Sequence, residues 1–436
     1  MQKNWYQLNL DEFSEALSQE GLKIPVAREL SAFKAPLEIA GKTAPNRIAI
    51  QPMEGCDCTA DGSITDLVER RYHRFAKGGA GLLWFEACAV TPESRANPRQ
   101  MMLTDANLDD FKRLNDSIRE EAVKANGYAP LLILQETHSG RYSKPQGVAA
   151  PLIAYRSEIL KHQETNAVVV TDEYLDSLPE RYANSTRLAR LAGFDGVDVK
   201  ACHRYLFSEL LAAHQRPGRY GGSYENRTRL MKECVKAAKA EAGDMIIGAR
   251  MNIYDGYPYP EGWGVTEGGS TVPDMSEPIR LVRELYELGL TLADLTLGNP
   301  YHTPHINRPY SIGGYEPPES PFKGVERACT LISQIKHAVP EVKVIASALS
   351  YLRAFSGHVG AGMLENDAAD MVGYGRQGFA YPDFANDILK NGKLNPQKVC
   401  IACSKCTELM RGGNVTGCVV RDGMYTKLYQ EMKKNG

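Results

Sequence analysis

Gly193–Arg229 reads GFDGVDVKACHRYLFSELLAAHQRPGRYGGSYENRTR. It opens as a strand: Phe194, Val197 and Val199 alternate with small or charged residues, after a segment of helical character rich in Arg and Ala. It then breaks into Lys200, Cys202, His203, Arg204 and Tyr205, five side chains able to carry protons, charge or nucleophilic reactivity. In α/β enzymes the loops after strand C-termini hold the chemistry, because a rigid scaffold fixes them while they face solvent.

The same pattern repeats on both sides of this stretch. Short apolar runs read as strands at Arg47–Met53, Gly81–Val90, Pro130–Gln135 and Gly196–Lys200, then at Met245–Asn252, Ala293–Leu297, Val342–Ser347 and Asp370–Tyr374. Amphipathic stretches of 3.6-residue period lie between them, at Thr65–Lys77, Leu108–Ala125, Glu225–Ala242, Met275–Leu288 and Gly324–Ala338. Eight strands alternating with helices imply an α/β fold with a parallel sheet closed into a (β/α)8 TIM barrel. The competitor is a doubly wound open sheet, and no G-x-G-x-x-G turn follows any strand to support it. Residues 1–35 read as a helical N-terminal extension, 36–393 as the barrel, and 394–436 as a short cysteine-rich C-terminal segment. Two long connections, His138–Asp172 and Asp255–Asp274, carry Gly and Pro and read as substrate-facing lids.

The chain has 436 residues with Lys+Arg 51 against Asp+Glu 53, a formal net charge of −2. This balance gives no electrostatic case for nucleic acid or an anionic membrane. No run of about 18 apolar residues exists to span a bilayer, and the N-terminus MQKNWYQLNLDEFSEAL has no apolar signal region. A cytoplasmic location follows as the expectation, and a homo-oligomer is compatible with this composition.

Ten cysteines in such a compartment point away from disulfides. Cys400-x2-Cys403-x2-Cys406-x11-Cys418 is the strongest single signal in the chain. Three thiolates in one run with a lone fourth suit a [4Fe–4S] cluster, whose irons each need one cysteine. Structural zinc more often uses two separated C-x2-C pairs.

The motifs NRIAIQPM (46–53), GFDGV through GRYGGSYENRTRL (193–230), GARM (248–251), GNPYHTPHINRPY (298–310) and GYGRQGFAYPDF (373–384) resemble the old yellow enzyme family. These are flavin-dependent barrel oxidoreductases, and the similarity is to the iron–sulfur branch that includes 2,4-dienoyl-CoA reductase and trimethylamine dehydrogenase. The resemblance implies FMN along the barrel mouth, lined by Pro52, Met53, Glu54 and Gly55. Gln135 would bond the pyrimidine edge, and Arg250 would sit where charge accumulates on the reduced flavin. The phosphate would lie against Leu349, Ser350 and Tyr351 and against Gly375 and Arg376. Strand seven departs from the family here, running ASALSYLR without the usual glycine.

By the same resemblance Tyr205 is the proton donor, a phenol that stays protonated at neutral pH. Lys200 and His203 stand where many relatives hold a His/Asn or His/His pair, and Arg204 where they often have glycine. His302 lies near the place of an assisting histidine. The expected activity is ene reduction of an unsaturated carbonyl substrate, with electrons entering through the cluster from a separate donor protein or reductase, or directly from NAD(P)H. Two alternatives stand beside it: an oxidative N-demethylase or amine dehydrogenase with the cluster as electron exit, and a non-catalytic electron-transfer subunit.

Overall fold

The computed structural model describes residues 4–435; Met1, Gln2 and Lys3 of the expected extension, and Gly436 of the expected C-terminal segment, lie outside the described residues. Eight parallel strands close into a barrel: β1 (Ile48–Ile50), β2 (Leu82–Ala89), β3 (Leu131–Thr137), β4 (Gly196–Val199), β5 (Ile246–Tyr254), β6 (Leu292–Leu297), β7 (Lys343–Ala346) and β8 (Met371–Tyr374). Each pairs with its neighbour in sequence. The ring shuts where Val372, Gly373 and Tyr374 lie against Ile48, Ala49 and Ile50. The expected (β/α)8 barrel is therefore the observed fold.

The strands read as continuous apolar runs because both of their faces are covered: every residue of β2, β3, β5 and β6 is buried. Gly196 opens β4 because a Cβ there would lie 2.7 Å from the Ile246 carbonyl oxygen. Side-chain oxygens start several of the surrounding helices. Thr65 accepts from Val68 N before α1 (Asp66–Lys77), and α2 (Leu108–Asn126) stops on Gly127 at φ 81°. Thr171 caps α3 (Asp172–Leu191) and Ser223 caps α4 (Tyr224–Glu241) in the same way. The ring continues with α5 (Ser276–Glu287), α6 (Pro321–Ala338), α7 (Ser356–Glu365) and the short α8 (Arg376–Ala380).

A hairpin that the sequence reading did not foresee, Leu37–Ile39 with Lys42–Ala44, closes the floor. Its Leu37, Ile39 and Ala44 join Trp84, Ile133, Ile246 and Met371 in one apolar layer. Strands of three residues are too short to show a period in sequence.

The N-terminal extension is helical in part. Among its described residues, a helix forms over Leu10–Gln19, with single turns at Trp5–Gln7 and Ser31–Lys34. Its aromatics bury into the barrel's outer layer: Phe13 stacks on Phe355 at 4.0 Å, and Trp5 meets Tyr351 at 5.3 Å. At the other end, α9 (Lys405–Arg411) and α10 (Gly423–Asn435) fold back on the mouth. Thr416 N donates to Gly55 O at 2.7 Å, Arg99 Nη2 donates to Gly413 O at 3.1 Å, and Asp422 receives Arg70 and Arg74. Among the described residues no helix is long and apolar enough to cross a membrane.

Candidate active site

Above the apolar layer the barrel interior turns polar, and this second layer is the floor of the site. Trp84 Nε1 and Gln135 Nε2 both donate to Asp198 Oδ2, at 2.8 and 2.6 Å, while Asp198 Oδ1 accepts from Arg250 N at 2.6 Å. Gln51 Nε2 donates to Asp294 Oδ1 at 2.8 Å, and Arg250 Nε lies 3.0 Å from Asp294 Oδ2. Burial pushes Asp294 up to about 6 against the pull of Arg250. Arg250 is thus both in an interstrand ion pair and at the base of a cavity, with its Nη1 donating to Pro52 O at 3.3 Å. A buried charge left without its partner would lose about 3–5 kcal/mol, so the pair holds the guanidinium in place.

The cavity, of about 200 Å³, opens at the C-terminal ends of the strands. Pro52, Met53 and Glu54 line it from β1, Gln135 from β3, and Lys200, His203 and Tyr205 from the loop after β4. Ser350, Tyr351, Gly375 and Arg376 line the far side. Four expected residues do not reach it. Gly55 N donates to Glu86 Oε2 instead, Leu349 is buried beneath the loop, and Arg204 and His302 face elsewhere.

Backbone conformation explains why Arg204 and His203 diverge. Both are left-handed, at φ 57° and 65°, a state disfavoured by roughly 1–2 kcal/mol for each side-chain-bearing residue. The reversal leaves His203 in the cavity wall and sends Arg204 into the protein. There Arg204 Nη1 pairs with Asp255 Oδ2 at 3.0 Å and Nη2 donates to Tyr155 Oη at 2.9 Å. Arg204 therefore pins the two expected lids to each other rather than facing the cavity. Cys202, beside it, is fully buried, and burial pushes its thiol up to about 12.

Lys200 lies over the Tyr205 ring, its Nζ 4.0 Å from the centroid, and burial lowers its pKa. Burial, followed by Arg250 and Lys200, pushes His203 well below its ordinary value and so favours the neutral imidazole; its Nε2 is buried without a hydrogen-bond partner among the described residues. Tyr205 is buried, and burial raises its phenol well above the ordinary range. Its hydroxyl lies 2.8 Å from that of Tyr301, which the sequence reading passed over in favour of His302. Tyr301 is held by Asn299 Oδ1 on its backbone N–H and by stacking on Tyr142 at 3.9 Å. His302, one residue on, points outward to Tyr257 Oη at 3.1 Å.

At the phosphate side, Ala348 takes the left-handed conformation at φ 71°, where the family glycine was missed. Arg376 Nη1 is buried with no hydrogen-bond partner among the described residues. An unpaired buried guanidinium nitrogen beside a cavity is suited to an anion. Helix α9 completes the wall with Cys406, Thr407, Met410 and Arg411. A lone seven-residue helix gave no signal of this placement.

Among the described residues Cys400, Cys403, Cys406 and Cys418 form no disulfide, and they line one smaller cavity of about 20 Å³. Ala402 and Ser404, at φ 53° and 60°, curl the loop around it. Cys406 and Arg376 border both cavities. Among the described residues no three His, Cys, Asp or Glu side chains converge tightly enough to hold a single metal ion.

Comparison with known proteins agrees with this architecture. Residues 32–286 match the model of the NADH:flavin oxidoreductase / NADH oxidase family. The NADPH dehydrogenase of Bacillus subtilis (strain 168) is 26% identical over 361 residues, covering 81% of this chain and 93% of that protein. Among solved structures, a 2-naphthoyl-CoA reductase in complex with 2-naphthoyl-CoA superposes with a TM-score of 0.74 at 19% identity, over 92% of this chain and 58% of that one. Histamine dehydrogenase from Rhizobium sp. 4-9 superposes at 0.67 with 20% identity, over 89% of this chain and 52% of its own. This chain thus spans little more than half of those two, and likeness at such identity speaks to the fold.

Proposed function

The chain belongs to the NADH:flavin oxidoreductase / NADH oxidase family, the old yellow enzyme group, and on that footing we propose that it is a flavin-dependent ene reductase. The observation that carries the proposal is the Tyr205 hydroxyl, buried at the cavity wall and backed by a second phenol 2.8 Å away. A donor of high pKa, already hydrogen-bonded to a group that can return its proton, suits protonation of a substrate carbon.

FMN fits the residues present. The unpaired Arg376 Nη1 and the backbone after Gly375 would take its phosphate, with Ser350 and Tyr351 opposite. Pro52, Met53 and Gln135 would flank the ring system, and Arg250 would face its pyrimidine side. Bound there, FMN would supply two electrons as hydride to the β-carbon of an activated C=C, as its chemistry allows. Tyr205 would protonate the α-carbon. His203, neutral and with a free Nε2, would donate to the activating carbonyl or carboxylate, and Lys200 would stabilise negative charge developing on it.

The four cysteines would hold a [4Fe–4S] cluster, which supplies single electrons. Free thiols around one cavity and a loop curled by two left-handed residues support this reading. In this reading 36–393 is the flavin barrel, 394–436 the cluster segment and 1–35 an extension buttressing the phosphate side. Electrons would come from NAD(P)H or from a separate donor protein.

A second reading, amine oxidation, draws on the Tyr142, Tyr205 and Tyr301 cluster, which could cage a cation. Lys200 already occupies the Tyr205 face and opposes it. The test is anaerobic purification, an absorption spectrum, reduction, and mixing with panels of enones and amines. Reoxidation of reduced flavin by enones is expected. Reduction of the resting flavin by an amine, with no response to enones, would reverse the assignment.

A further inference from the structure

A second chamber, of about 490 Å³, opens beside the first and shares Glu54, Tyr301, Met410 and Arg411 with it. Its own walls carry Arg99 and Lys144, so three cations, Arg99, Lys144 and Arg411, face one space. Among the described residues Glu54 is the one acid lining it. That carboxyl accepts from Asn97 Nδ2 at 2.6 Å, and burial raises its pKa against the pull of Lys200. Lys144 and Arg411 make no side-chain ion pair or hydrogen bond among the described residues that would neutralise them, and Arg99 spends one nitrogen on Gly413 O at 3.1 Å. Lys144 and Arg411 are exposed to solvent at the rim of this space, and Arg99 is half-buried in its wall.

We propose that this chamber receives the anionic tail of an elongated substrate whose unsaturated end lies in the first cavity. The inference rests on the ene-reductase reading for the reacting end, and on the chamber's own geometry for the tail. The junction between the chambers, at Glu54 and Tyr301, is next to Tyr205. A molecule spanning both would therefore present its reacting carbons to the donor while its far end meets the cations. The shared chemistry is a terminal anion, either a carboxylate or a phosphate. A carboxylate or phosphate meeting fixed cations forms charge-assisted hydrogen bonds, about twice as strong as neutral ones.

The test uses the purified holoprotein and binding rather than turnover. The probes are 4-(3-oxocyclohexyl)butanoate, a saturated ketone with a carboxylate tail, its methyl ester, and the analogue ending in phosphate. Lys144→Glu and Arg99→Gln should each weaken the acid roughly tenfold more than the ester, an order set by the loss of one charged hydrogen bond. Raising the salt should narrow that gap, and Arg99→Lys should recover most of it. The larger loss between carboxylate and phosphate identifies the tail. Equal weakening of acid and ester, or none, overturns the proposal. Turnover of the matching cyclohexenones is read separately. Acid-selective binding without reduction would uphold the chamber and sink ene reduction, whereas reduction with no acid preference would do the reverse.

Discussion

At the floor of this barrel Leu37, Ile39 and Ala44 meet Trp84, Ile133 and Met371, apolar against apolar. At the mouth the same strands end in His203 and Arg204 with reversed backbone, in Ala348 held left-handed, and in buried Arg376 and His203 nitrogens without partners. Nothing at the floor waits for another molecule. The mouth is strained and under-bonded, and a ligand can relieve part of that. The contrast separates where a barrel keeps its stability from where it spends it on function.

The sharpest way to break this contrast is Tyr205→Phe. Turnover should fall roughly 10²–10⁴-fold, the usual contribution of a positioned acid, while the melting temperature shifts little. Reoxidation of the reduced flavin should suffer less than overall turnover. Stopped-flow and steady-state rates on one enone check this, and unchanged turnover would remove Tyr205 from its role. Next, at the floor, Ile39→Ala should lose about 2–5 kcal/mol by leaving a cavity, read as a lower melting temperature. Turnover per folded molecule should persist; a kinetic defect without melting loss would show the floor is not merely structural.

His138 lies just past β3, buried, with its Nε2 2.8 Å from Tyr174 Oη, and burial lowers its pKa to about 4. An unfolded histidine titrates near 6.5. Between those values the unfolded chain binds the extra proton, so stability is full above about 6.5 and is lost as pH falls toward 4, by up to about 3 kcal/mol. His138→Gln should flatten that limb in denaturant titrations across the window; an unaltered slope would show that other groups set it. The smallest effect is Ala348→Gly. Relief at φ 71°, less the greater freedom of unfolded glycine, should gain about 0.5–1 kcal/mol. A loss instead would mean that the Ala348 methyl packs against the mouth and contributes more than its strain.

The barrel could be read from the chain because strands covered on both faces are mainly apolar, and eight such runs alternate with amphipathic helices. The floor hairpin escaped notice because three residues carry no period. At the site, Gln135, Lys200, His203, Tyr205, Arg250 and Arg376 converge as their strands and motifs imply. Arg204 was misread because two successive left-handed residues turn the chain, and nothing in KACHRY announces that turn. Tyr301 was missed in favour of its neighbour because the direction of its ring is set by stacking on Tyr142, a partner far away in the chain that local sequence does not reveal. The share of α9 in the cavity wall was hidden for the same reason: the segment that carries it is tied to the mouth by contacts such as Thr416 N to Gly55 O, far apart in the sequence.

Helix α9 also sets an order of maturation. All eight strands leave the ribosome before Cys400, so a barrel can close while its mouth is still an open dish lacking the Met410 and Arg411 wall. The segment from Cys400 to Cys418 carries Cys406, Met410 and Arg411 alike, so holding the cysteine loop and roofing the mouth cavity are tasks of one short stretch of chain.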